Sequence, residues 1–169
     1  MIAPTLHTER LTMVPLAERH FEPVRAFYAS DRSSFVGGPK NADQAWRALA
    51  AEAGHWALRG YGRWAVESAD GQMVALVGAW NPEGWPEREI GWDVMNGFEG
   101  HGYATEAALA ARDWLYTEAG WTTAISLIAD GNTGSEGVAK RVGAVEEARY
   151  THETFGPMAI WRHPARAAA

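Results

Sequence analysis

The periodicity along this chain changes in an order that few architectures accommodate. Leu6 to Leu16 alternates loosely and predicts a first strand. Glu18 to Ala29 predicts a helix, with Phe21, Val24, Arg25 and Tyr28 on one face. SSFVGGPK reads as a loop. Asn41 then opens a second helix, with Gln44 completing a capping-box pair. Its apolar stripe runs through Ala45, Trp46, Leu49, Ala53, Trp56 and Ala57 and closes at Arg59-Gly60. Three strands follow: Arg63 to Glu67, Met73 to Trp80, and Arg88 to Val94. Asp70-Gly71 marks a hairpin turn between the first two, and NPEGWPE is a loop before the third. Beyond FEGHGYATEA, the positions Ala104, Ala107, Ala108, Ala111 and Leu115 share a helix face, with Gly120 past its end. Thr122 to Ala129 is strand-like, DGNTGSEG is a loop, and a short helix runs to Val142, where Gly143 breaks it. Ala144 to Thr154 and Pro157 to Trp161 close the chain as an antiparallel pair around Phe155-Gly156. A doubly wound sheet and a helix bundle both fail to give this order. It predicts a mixed α/β (α+β) domain around one central sheet. With 169 residues, residues 1–169 are expected to form a single domain.

Composition narrows the function classes. An apolar fraction of 47% with nine tryptophans supplies a substantial core. The net charge of -6 argues against a non-specific nucleic-acid binder, which needs a basic surface. It suits a basic or amine substrate. With no cysteine, disulfides, thiolate metal sites and a cysteine nucleophile are excluded. The six histidines, at 7, 20, 55, 101, 152 and 163, show no ligand spacing, so no metal site is expected. MIAPTLHTERL has no apolar core of a secretory signal. The longest apolar runs fall short of the ~18 residues of a membrane span. A cytoplasmic protein without nucleic-acid or membrane partners is expected.

FEGHGYATEA, residues 98–107, joins a strand to a helix. A helix start presents unpaired backbone N–H groups and a partial positive charge, which together attract anions without lysine or arginine. Gly100 and Gly102 let the backbone approach a phosphate that a Cβ would hold off. Ala104 and Thr105 keep the first turn narrow, and Thr105 adds a hydroxyl. The alternative is a strand-to-helix join with glycines for geometry alone. Neither a dinucleotide fingerprint nor a Walker A loop fits, because Thr105 stands where the third glycine should be and no Gly-Lys-Ser/Thr follows.

The same segment resembles motif A of the GNAT acyl-CoA N-acyltransferase superfamily, Arg/Gln-x-x-Gly-x-Gly/Ala, set on Glu99 to Ala104. GYATEA, HTERLTMVPL near the start, EIGWDV before the loop, and Asn132-x-x-Ser135 followed by AKRVGA resemble the branch containing the ribosomal-protein N-terminal acetyltransferases. These motifs cover most of residues 7 to 144 in order. The resemblance implies a bent, mostly antiparallel sheet of about seven strands with four helices. It also implies acetyl-CoA as co-substrate, its pyrophosphate on Gly100, His101, Gly102, Tyr103, Ala104 and Thr105. Pantetheine would pair with backbone near Val94 and Met95, in a wedge between strands 88–94 and 122–129. Two positions depart from the pattern. Glu99 replaces Arg or Gln and is expected to turn to solvent, and Met13-Val14-Pro15 lacks the usual arginine.

Acetyl transfer to an amine requires removal of a proton, polarisation of the thioester carbonyl and protonation of the leaving thiolate. By resemblance, Glu89 is the candidate base, directly or through water, with Glu87 as a backup on the same strand face. The alternative for Glu89 is a solvent-facing strand edge. A backbone N–H near Val94 can serve the oxyanion. The family's tyrosine acid falls on Ala139, so Ser135 is the nearest hydroxyl by motif; as an alternative it caps the helix that follows. Asn132 either holds pantetheine or caps a turn. Tyr103 and Tyr150 are other hydroxyl sources, and Trp80, Trp85 and Trp92 flank the strand as packing or as walls of an acceptor groove. The expected function is N-acetyl transfer from acetyl-CoA to a primary amine, on a small molecule or a protein N-terminus. The absent tyrosine leaves a catalytically silent CoA-binding module as the alternative. Loops 30–40 and 81–88 would set the acceptor, and a homodimer through the late strands is compatible with the pattern.

Overall fold

A computed structural model describes residues 3–166. Eight strands form one sheet: β1 (Leu6–His7), β2 (Leu11–Val14), β3 (Arg63–Ser68), β4 (Met73–Trp80), β5 (Glu89–Val94), β6 (Ile125–Ala129), β7 (Val145–His152) and β8 (Gly156–Arg162). Their spatial order is β1-β2-β3-β4-β5-β6-β8-β7. Every neighbouring pair is antiparallel except β5 and β6. Four helices accompany them: α1 (Phe21–Ala29), α2 (Ala42–Arg59), α3 (Tyr103–Thr117) and α4 (Thr133–Arg141). No described helix is long and apolar enough to cross a membrane.

β4 explains why helices cover both faces. MVALVGAW is buried along nearly its whole length, so each pleat face needs an apolar layer. Val74, Val77 and Ala79 pack with α3, through Ala107, Ala108, Ala111 and Leu115, and with Trp64 and Trp121. Leu76 and Met73 pack with Val24, Phe27 and Tyr28 of α1 and with Ala45 and Leu49 of α2. The row of alanines lets α3 lie close against the sheet. α2 starts as its sequence implies: Gln44 N–H donates to Asn41 Oδ1 at 2.9 Å, and Asn41 N–H donates to Gln44 Oε1 at 3.1 Å.

Three boundaries depart from the sequence reading. The expected strand 6–16 is a hairpin, β1 and β2, turned at residues 8–10. Thr8 Oγ1 and Arg10 N–H both donate to Glu106 Oε1 of α3, at 2.5 and 2.9 Å, so the turn is tied from a distant helix. Residues 31–36, expected as loop, form a 3₁₀ segment (Asp31–Val36) over the β5 end of the sheet. α4 begins at Thr133, inside the segment expected to be loop, because Asn132 caps it.

Candidate functional site

β5 and β6 share a single register pair, Glu89 with Ile125, and then diverge. Two side chains bridge the gap where backbone bonds end. Leu127 N–H donates to Glu89 Oε1 at 3.1 Å, and Ser126 Oγ donates to Ile90 O at 2.6 Å. With the Ser126 proton committed to Ile90, His163 Nε2–H donates to Ser126 Oγ at 2.9 Å. Burial, reinforced by Arg112 and Arg162, pushes the His163 pKa down to about 3, so the ring stays neutral. The wedge opens into a cavity of about 570 Å³.

On one side of this cavity lies the start of α3. Gly100, Gly102, Tyr103, Ala104 and Thr105 line it. Gly100 and Gly102 have φ of 79° and 80°, a conformation natural only to glycine. The first α-helical bond runs from Glu106 N–H to Gly102 O at 3.1 Å, so the N–H groups of residues 103–105 precede the ladder. Thr105 Oγ1 is buried and has no hydrogen-bond partner among the described residues. An anion such as the CoA pyrophosphate fits here: it supplies acceptors for both the amides and the orphaned hydroxyl. Val94, Asn132 and Ser135 also line the cavity. Asn132 Oδ1 accepts from Ser135 N–H at 3.2 Å as the cap of α4, and Ser135 Oγ accepts from Trp92 Nε1–H at 3.2 Å.

Two residues expected at this site sit off it. Met95 is buried in the cluster that joins α1 and α2 to the sheet, and its N–H is committed to Val74 O at 2.9 Å. His101 is exposed, donates to Glu99 O at 2.9 Å and stacks on Tyr103 at 5.4 Å between ring centroids. Glu99 does not simply turn to solvent: its Oε1 lies 2.7 Å from Arg32 Nε. Arg32 also donates to Val94 O at 2.9 Å and to Asn96 Oδ1 at 2.8 Å. A guanidinium from the 3₁₀ segment thus neutralises the acidic side chain at the motif position. Glu87 precedes β5, is exposed, and accepts from Arg162 at 2.7 and 2.8 Å, away from the cavity. Ala139 is fully buried. Tyr150 packs against the Ile125, Leu127 and Met158 cluster beside His152 and does not line the cavity.

The opposite side of the wedge is acidic. Glu89, Gly91 and Asp93 share one pleat face, and Glu89 and Asp93 are both buried. Glu89 Oε2 accepts from Trp85 Nε1–H at 2.7 Å. Burial pushes the Glu89 pKa up to about 7, against the pull of Leu127 N–H, Arg63 and Trp85. Arg63 on β3 pairs with Gly78, which pairs with Gly91. The Arg63 side chain reaches across β4 to β5, where Gly91 leaves open space beside its guanidinium. It reaches Asp93 Oδ2 at 2.7 Å and Glu52 Oε1 of α2 at 3.3 Å. Among the described residues no group of three or more His, Asp or Glu is placed to hold a metal ion.

Residues 10–145 match the family model of the acetyltransferase (GNAT) domain. The chain belongs to the GNAT acetyltransferase family. It is an acyltransferase. Among solved structures, an acetyltransferase from Agrobacterium tumefaciens shares 33% identity at a TM-score of 0.88, covering 97% of this chain and 96% of that one. The ribosomal-protein-S5-alanine acetyltransferase from Vibrio fischeri shares 12% identity at a TM-score of 0.72, with 95% and 96% covered. The microcin C7 self-immunity acetyltransferase, solved with acetyl-CoA and AMP, also shares 12% at 0.72, with 92% of each chain covered. The last two share the fold with this acetyltransferase. No curated protein matches its sequence.

The acidic cluster of this acetyltransferase went unread in the sequence, although signals for it exist. Glu52 falls at the buried spacing of Ala45, Leu49 and Trp56, and Asp93 interrupts the apolar strand EIGWDV. Burial pushes the Glu52 pKa up to about 7, opposed by Arg63. A carboxyl whose folded pKa is raised stays protonated while its unfolded counterpart ionises, so stability is lost as pH rises from about 4.5 to about 7. Glu52→Gln is expected to flatten that decline, by on the order of a few kcal/mol at most. Chemical denaturation at pH 5 and pH 8 checks it, and an unchanged slope would assign the decline to Glu89, the other carboxyl raised to about 7.

Proposed function

We propose that this acetyltransferase transfers the acetyl group of acetyl-CoA to a primary amine, on a small molecule or a protein N-terminus, in the cytoplasm, by direct attack in a ternary complex. One observation carries the reading: Glu89, a buried carboxyl with a pKa raised to about 7, lines the wedge opposite the anion-binding start of α3. A carboxylate of ordinary pKa is too weak a base to take a proton from an ammonium, and burial corrects this at neutral pH.

Acetyl-CoA, when bound, supplies an activated thioester carbonyl. The amides of residues 103–105, Gly100, Gly102 and the Thr105 hydroxyl hold its diphosphate. Val94 and Asn132 border the path of its arm. Glu89 takes the proton that the acceptor ammonium must lose before its nitrogen can attack. Val94 N–H polarises the carbonyl, and the Ser135 hydroxyl donates a hydrogen bond to the departing sulfur. Its oxygen already accepts from Trp92, which leaves its proton free to point into the cavity. The His101 ring and the Met95 N–H have no part in this reading, for the ring bonds Glu99 O and the amide bonds Val74 O.

The test mixes the protein, acetyl-CoA and a panel of primary amines and follows release of free CoA thiol. Release that depends on both substrates is expected. Acetyl-CoA binding without release for any amine would replace the enzyme with a silent CoA-binding module.

A further inference from the structure

The acceptor half of the cavity is enclosed by groups whose charges and shapes do not match. Its floor is Glu89, Gly91, Asp93 and Arg63, and its outer wall is Phe27, Phe35 and Val36. Phe35 is 37% exposed, a large apolar ring with nothing packed over part of it. A Cβ on Gly91 would stand 3.6 Å from Arg63 Cζ and 3.7 Å from Glu89 Oε1. The absence of that Cβ keeps open a space between the guanidinium and the carboxyl. The two cations that line this half are both engaged with carboxylates, and Lys40, outside the lining but near enough for its charge to act on Asp93, bonds Val36 O and Gly37 O. Arg63 bonds Asp93 and Glu52, and Arg32 bonds Glu99, Asn96 and Val94 O. Arg141, which also lines the cavity, sits on α4 at the cofactor side. One guanidinium therefore faces three carboxyl groups, Glu52, Glu89 and Asp93, in a site shielded from water.

We infer, granting the amine-acetylating reading above, that the acceptor is a primary amine on an apolar body and carries no carboxylate on the carbon that bears the nitrogen. Arg63 acts as the counter-ion of Asp93 and Glu52 and not as a receptor for a substrate carboxylate. An incoming ammonium adds a cation to a cluster that has an excess of acids. An incoming carboxylate must compete with Asp93 for Arg63 and meet Glu89 at close range, and like charges juxtaposed in a shielded site are strongly disfavoured. The apolar wall of Phe35, Val36 and Phe27 receives the rest of the acceptor. A peptide N-terminus satisfies the same rule, because its α carbon carries an amide.

Three acceptors with one aromatic body separate the possibilities: phenethylamine, phenylalaninamide and phenylalanine. With acetyl-CoA saturating, kcat/KM for phenylalanine is expected to lie at least about a hundredfold below that for phenethylamine, with phenylalaninamide accepted. Methylamine, which lacks the body, is expected to show a raised KM at similar kcat. Asp93→Asn removes one acid from Arg63 and is expected to narrow the phenylalanine gap by about tenfold or more, chiefly in KM. Its melting temperature and acetyl-CoA affinity are measured alongside. If that variant does not fold, Glu52→Gln, assayed above the Glu52 pKa of about 7 where the wild-type carboxyl is ionised, reports the same narrowing. Phenylalanine turned over as fast as phenethylamine by the wild-type protein would overturn the inference and leave acetyl transfer to amines intact. No CoA release with any of the four amines or with a peptide bearing a free N-terminus would overturn both.

Discussion

Glu89→Gln is expected to lower kcat by about 10²–10⁴-fold, the range attributable to a positioned general base. The pH profile makes the prediction specific. The Glu89 carboxyl must be ionised to accept a proton, and its pKa stands at about 7. The wild-type rate should therefore fall tenfold per pH unit below about 7, and the glutamine variant should lose that acid limb. Glu89 has a second task, since its two oxygens accept from Trp85 Nε1–H and Leu127 N–H across the wedge. A glutamine has one oxygen, so its amide nitrogen must face one of these donors, at a cost of roughly 1–3 kcal/mol. Acetyl-CoA affinity separates the two tasks. Chemistry alone lowers kcat with the dissociation constant kept within a few-fold, whereas closure of the wedge weakens binding as well. A variant that keeps its rate within about threefold and retains the acid limb would remove Glu89 from the role of base.

What the sequence revealed tracks how local each cause is. The capping box of α2 involves two residues three apart, and both bonds form. The alanine face of α3 follows from spacing alone, and the motif order located the glycine turn at the start of α3 beside the cavity. The hairpin at residues 8–10 was hidden because no glycine or proline marks it and Glu106 of α3 holds it. Arg32 is invisible for the same reason: its partner Glu99 lies 67 positions along the chain, by their residue numbers. The Arg63 cluster needs the register of three strands, with Gly78 of β4 and Gly91 of β5 in line with Arg63 of β3. Glycine at either position reads in sequence only as a weak point in a strand. In the structure Gly78 lets β4 lie close on the Gly62 and Arg63 backbone, and Gly91 leaves space beside the Arg63 guanidinium.

The second large effect concerns the start of α3, where a substitution can act on cofactor and fold separately. Gly100 lines the cavity at φ 79°, and a Cβ there would meet no atom within 4 Å. Aspartate tolerates this left-handed conformation better than most residues, so Gly100→Asp should fold, at a cost of roughly 1 kcal/mol. Its carboxylate stands beside the site assigned to a diphosphate, and acetyl-CoA affinity is expected to fall by about tenfold to a hundredfold. Because the position is exposed, added salt should screen the repulsion and narrow the gap. Thr105→Val gives the complementary signs. The Thr105 hydroxyl is buried without a partner among the described residues, so its removal should leave the free protein as stable or more so. If the hydroxyl serves the diphosphate, the same variant should bind acetyl-CoA about tenfold more weakly. Calorimetry of both variants decides the matter. Unchanged affinity in both would detach the start of α3 from the cofactor, whereas lost affinity with intact stability ties that unsatisfied hydroxyl to the ligand it awaits.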